Sequence, residues 1–86
     1  MAVDCSPEAI SAHLARLLRE ARERQKISLN SLAQQAGVSR QTIRFIEKQE
    51  RHPTVITLLR ITAALGLKAE DLIVSARRAA ERAGTK

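Results

Sequence analysis

Four polar side chains recur at helical spacing in the middle of this 86-residue chain: Arg40, Gln41, Arg44 and Lys48. At about 100° per residue they share one helix face with Phe45, while Ser39, Ile43, Ile46 and Glu50 lie on the other side. Their chemistry is recognition. A guanidinium is a planar donor fork that matches O6 and N7 of guanine, and a primary amide offers a donor and an acceptor to adenine. Each such pair discriminates by about 1–3 kcal/mol against a wrong base. An ammonium is a point charge suited to phosphate. Phe45 has two readings: it presses on a thymine methyl, or it turns sideways into the core, as most lone phenylalanines do.

These groups need a rigid mount, and the segment from Ile27 to Glu47, ISLNSLAQQAGVSRQTIRFIE, supplies one. Leu29, Leu32, Ala33 and Ala36 form one apolar stripe, and Ile43 and Ile46 a second. Between them Gly37 suits a left-handed residue that ends a helix, and Ser39 suits the cap of the next. Ser28 is the matching cap for the earlier helix. Two helices joined by a short glycine turn make a helix-turn-helix unit, whose second helix enters the DNA major groove by its N-terminal turn. Arg40 and Gln41 occupy that turn.

Three further helices surround this pair. Ser6-Pro7-Glu8 combines a cap, a proline at the first helical position and an acid at the positive helix end. Ile10, Leu14, Leu17, Leu18 and Ala21 then trace a core face, opposite Arg16, Arg19, Glu20, Glu23 and Arg24. His52-Pro53-Thr54 breaks the chain. Thr54 caps a fourth helix with Leu58, Leu59, Ile61, Thr62 and Leu65 at helical spacing, ended by Gly66. A fifth helix begins near Ala69, and the Ala- and Arg-rich stretch from Ser75 either extends it or frays. The parse is one all-α domain over 6–74 with a C-terminal helix extension or tail over 75–86.

Composition agrees. Only Phe45 is aromatic, and the charge of +6, from 15 basic and 9 acidic residues, suits a polyanionic partner. Cys5 is the single cysteine, so no intramolecular disulfide forms. No apolar run is long enough to span a membrane, and the expected location is the cytoplasm of a bacterium. Cys5, His13 and His52 are scattered, with no metal-ligand spacing, and no glycine-rich phosphate loop occurs. No enzyme activity, metal, cofactor or small-molecule ligand is expected.

From about Leu18 to Ile73, roughly two thirds of the chain, the segments LLREARERQKISLNSLAQQAGVSRQTIRFIE, RHPTVITLLRITAALG and EDLI resemble, in that order, the Cro and phage-repressor type of helix-turn-helix regulator, the XRE family. The resemblance implies a five-helix lambda-repressor-like fold. It implies base contacts from Arg40, Gln41, Arg44 and Phe45, and phosphate contacts from Ser28, Ser39, Lys48, Arg51 and His52. It also implies an ion pair between Arg22 and Glu47, with phosphate contact as the other reading of Arg22. The sequence departs from the family at Leu29, where a polar residue is common, at Gln49, where glycine is common, and at Lys68, which replaces a good cap.

One such unit reads few base pairs, so the implied regulator is a homodimer on a pseudo-palindromic operator. Ile73, Val74, Ala76 and Ala80 are its expected surface, unless they complete the monomer core instead. The rival reading is an antitoxin or other protein-interaction module that binds a protein partner through the same scaffold.

Overall fold

A computed structural model describes residues 5–83, so the last residues of the expected C-terminal tail, 84–86, lie outside the described part. The helices are α1 (Pro7–Arg24), α2 (Leu29–Ala36), α3 (Arg40–Glu47), α4 (Val55–Ala64) and α5 (Ala69–Ala83). No strand occurs among the described residues.

Four of the five N-termini are closed by the hydroxyls that the sequence pattern marks. Ser6, Ser28, Ser39 and Thr54 are extended in backbone and accept from the amides of Ala9, Ser31, Thr42 and Thr57. Each satisfies a donor that the helix itself cannot. At α5 the Lys68 carbonyl receives the Asp71 and Leu72 amides, and Glu70 and Asp71 supply negative charge to the first turn. Gly37 ends α2 at φ 72°, and Gly66 follows α4 at φ 73°. Lys26 after α1 and Gln49 after α3 make comparable turns at φ 58° and 62°, a conformation that strains any side chain with a Cβ.

The core joins Leu14, Leu18 and Ala21 of α1 to Leu32, Ala33 and Ala36 of α2, Ile43 and Ile46 of α3, Leu58 and Ile61 of α4, Leu65 at its end, and Ala69 and Ala76 of α5. Thr62 is buried with them and donates to the Leu58 carbonyl at 2.9 Å, which keeps its hydroxyl satisfied. Helix α1 packs along α5 and touches α3, while α2 packs on α3 and α4. The Gln25 amide, just past α1, donates to the Leu65 carbonyl at 2.8 Å and ties the ends of α1 and α4 together.

Two expectations about apolar residues change. Leu59 has core spacing but is half exposed, because Leu58, Ile61 and Leu65 already fill the inward face of α4. Helix α5 continues past Ser75 to Ala83, so of the two readings of that stretch it extends the helix. Ala76 and Ala80, expected to form a dimer surface, are 0% and 2% exposed within the single chain. Helix α5 packs along α1, and Ala15 and Ala21 on α1 and Ala76, Ala79 and Ala80 on α5 are all buried. Ala76 and Ala80 therefore complete the monomer core, and only Ile73 and Val74 of that set remain exposed.

Candidate nucleic-acid interface

Helix α3 is fixed by Ile43 and Ile46, both almost wholly buried. Burying each contributes roughly 1.5–3 kcal/mol, enough to hold so short a helix in one rotational setting. Arg40, Gln41, Arg44 and Lys48 are consequently all exposed on its outward side. Among the described residues, none of the three cations has a carboxylate partner. The turn from Gly37 to Ser39 sets the angle between α2 and α3. The Gly37 amide donates to the Ala33 carbonyl at 2.9 Å and the Val38 amide to the same oxygen at 3.1 Å, closing α2 before α3 begins.

Phe45 takes neither extreme expected of it. It is half-buried, with the Arg51 guanidinium 4.7 Å from its ring centroid. This cation–π contact, worth about 0.5–1 kcal/mol at an exposed site, draws Arg51 back beside α3. The Glu50 amide donates to the Phe45 carbonyl at 2.9 Å and brings the chain round.

The residues expected at phosphates are exposed but not equally free. Ser28 Oγ and Ser39 Oγ each accept a cap hydrogen bond at 3.0 Å, and Ser39 also pairs with the Thr42 hydroxyl at 2.7 Å. A hydroxyl that accepts from a cap amide keeps its own proton for another acceptor. Both helix starts thus present donors and a positive dipole end, a combination that favours anions. His52 is tied to α1 instead: its Nδ1 lies 2.7 Å from Ser11 Oγ. That bond clips the loop after α3 to the first helix.

Arg22 and Glu47 are joined across 25 residues of chain. Arg22 Nε donates to Glu47 Oε2 at 2.7 Å and Nη2 to Oε1 at 3.0 Å, a bidentate pair, while Nη1 donates to the Ile27 carbonyl at 2.9 Å. The side chains are only 14% and 8% exposed. The hydrogen bond to Glu47 raises the Arg22 pKa, burial opposes it, and the charges of Glu47 and Glu23 add to it. Arg22 thus makes the expected ion pair, with one N–H on each of its three nitrogens used inside the protein. The pair fastens the end of α3 to α1, and thereby the orientation of the exposed face.

Several contributors have no clear signal in the sequence. Arg60 on α4 reaches the turn before α3: a Cβ built at Gly37 would stand 3.1 Å from its Nη1. Val55 and Ile56, in the first turn of α4, are 73% and 64% exposed. Periodicity finds a stripe but does not say whether a neighbouring helix covers it. Among the described residues no group of three or more His, Cys, Asp or Glu is placed to hold a metal, and no helix is long and apolar enough to cross a membrane.

Comparison with known proteins fits this geometry. A family profile described as helix-turn-helix matches residues 18–72. A search among curated proteins finds no significant match. Among solved structures, the restriction-modification controller protein C.AhdI from Aeromonas hydrophila is 24% identical, aligned over 72% of this chain and 94% of that one with a TM-score of 0.68. The clp gene regulator ClgR from Corynebacterium glutamicum is 22% identical, over 83% and 76%, with a TM-score of 0.75. A second ClgR structure gives 23% identity, 81% and 91% coverage and a TM-score of 0.73. At these identities the likeness is one of fold.

Proposed function

This chain belongs to the helix-turn-helix family of the XRE type, and from that premise we propose that it is a transcriptional regulator that binds double-stranded DNA as a homodimer and reads a pseudo-palindromic operator through α3. The observation that carries the reading is the setting of α3. Two buried isoleucines and a bidentate ion pair leave Arg40, Gln41, Arg44 and Lys48 outward, with three cations that have no carboxylate partner among the described residues. Arg40 and Gln41, in the first turn, contact base edges, and Arg44 and Phe45 follow deeper along the helix. Ser28, Ser39, Lys48 and Arg51 contact phosphates, and His52 joins them only as far as its bond to Ser11 allows. A cytoplasmic location goes with this role, and no catalytic step is part of it.

The dimer surface in this reading is Ile73 and Val74, joined by Val55, Ile56 and Leu59 of α4, the helix packed on α5. Exposed large apolar side chains on adjoining helices are unusual on a solitary soluble domain and mark an interaction surface. A second copy is the occupant this reading names, since a pseudo-palindromic operator requires two α3 helices about 34–36 Å apart on one DNA face. The same exposed residues favour one other reading, in which a different protein covers them, as in an antitoxin. Occlusion of polymerase at the operator makes the regulator a repressor.

Selection of bound sequences from random duplex DNA tests the proposal, with wild type compared with an Arg40→Ala/Gln41→Ala double variant at physiological salt. The expected result is a paired motif with half-sites about one helical turn apart, lost in a variant that still folds. Absence of any enriched motif in the wild type rejects base readout. A monomer at micromolar concentration that also selects only a single half-site rejects the dimer.

A further inference from the structure

A depression of about 160 Å³ lies beside the outward face of α3, lined by Arg19 and Arg22 of α1, Leu29 of α2, and Arg44, Glu47 and Lys48 at the end of α3. Four cations and one carboxylate converge there. The carboxylate is already spent, because Glu47 is held by Arg22 through both Nε and Nη2, so these two charges offset each other. Arg44 and Lys48 have no carboxylate partner among the described residues. Arg19 gives only its Nε, at 3.0 Å, to Glu23, and both side chains are more than half exposed. Such a pair on a helix surface is weak, and it aims the guanidinium while leaving both Nη groups open. Leu29 forms a wall with no donor or acceptor that would compete for an anion. Three available cations from two helices therefore surround a neutral, partly apolar recess.

We infer that this recess binds one phosphate of the DNA backbone, with Arg19 as a phosphate ligand alongside Arg44 and Lys48. The inference rests on the DNA-binding reading and adds to it a contact from the first helix. Arg44 is shared between the groove and its edge: it lines the recess from α3, so its guanidinium serves the phosphate there as well as the base edge beside it. The recess thereby grips the backbone next to α3, and the bond between Arg22 and Glu47 fixes the distance between the phosphate and the base-reading turn.

Salt dependence of binding measures this contact directly, because each neutralised phosphate adds about 0.9 to the slope of log affinity against log salt. The full chain is titrated on a random-sequence duplex, comparing wild type, Arg19→Gln and Arg16→Gln. The two variants lose the same charge, and each loses one exposed i, i+4 pair, since Arg16 pairs with Glu20 at 2.9 Å as Arg19 pairs with Glu23. Arg16 does not line the recess. Long-range charge effects and helix stability are thus matched, and thermal unfolding of both variants verifies it. The inference expects Arg19→Gln to weaken binding about tenfold or more at low salt. Its slope falls by no more than about 0.9, because Arg44 and Lys48 still face the same phosphate. Arg16→Gln leaves both near wild type, and Arg19→Lys keeps the wild-type affinity. Equal affinities for Arg19→Gln and Arg16→Gln across the salt series overturn the recess while leaving the regulator reading standing. A wild-type chain that does not bind duplex DNA overturns both.

Discussion

At the scale of single residues, the pair between Arg22 and Glu47 carries more than its size suggests. Removing one member leaves the other charge poorly solvated, and breaking such a pair costs roughly 3–5 kcal/mol. Glu47→Ala should therefore lower stability by about 3 kcal/mol in urea unfolding, whereas Arg22→Met/Glu47→Leu should recover most of the loss. The sign of its pH dependence follows from the raised Arg22 pKa. A cation whose pKa rises on folding contributes fully below its unfolded value and loses that contribution only as the pH climbs through the folded one. Arg22's share is therefore constant across neutral pH, and a stability difference between wild type and Glu47→Ala that varied there would contradict it. A second residue is under strain. Gln49 holds φ 62°, which costs about 1–2 kcal/mol for a residue with a Cβ, against about 0.5–1 kcal/mol for the flexibility glycine brings to the unfolded chain. Gln49→Gly should thus stabilise by roughly 0.5–1 kcal/mol, visible as a higher melting temperature.

At the scale of elements, a short helix needs its ends closed. Helix α3 has eight residues, too few to persist alone in water, so its cap and its two isoleucines decide whether it exists. Ser39→Ala should cost about 1 kcal/mol, and Ser39→Gly only a few tenths. If Ser39 also donates to a phosphate, both changes weaken DNA binding beyond what the stability loss explains, and stability and affinity measured on the same pair of variants separate the two roles. The caps were legible in the sequence because each is a contact between residues three apart: Ser6, Ser28, Ser39 and Thr54 all close the helices they precede. The outward face of α3 was legible for the same reason, since burying Ile43 and Ile46 settles its rotation. The fate of Phe45 was not, because its ring is held by Arg51 from the following loop, and no periodicity encodes the path of a loop.

At the scale of the whole molecule, α5 separates two kinds of apolar residue. Ala76 has no exposed surface and belongs to the core, so Ala76→Leu should overpack that core and destabilise the fold by about 1–3 kcal/mol. Leu59→Glu, placed on the exposed side of α4, should leave the melting temperature of the isolated chain nearly unchanged and shift the dimer towards monomer in sedimentation. A variant that unfolds instead would show that Leu59 supports the core. What the sequence by itself determined is local: five helices, their caps and breaks, an inward stripe on each, and a basic polar face on α3. These depend on contacts within one or two turns, where residue type and spacing are sufficient. Only the tertiary structure decided which stripe faces which neighbour. It buried Ala76 and Ala80 within the single chain and exposed Val55, Ile56 and Leu59. It also clipped His52 to Ser11 and brought Arg19 beside Arg44 and Lys48. Those outcomes follow from how the helices cross, which is set by the summed packing of residues far apart in the chain.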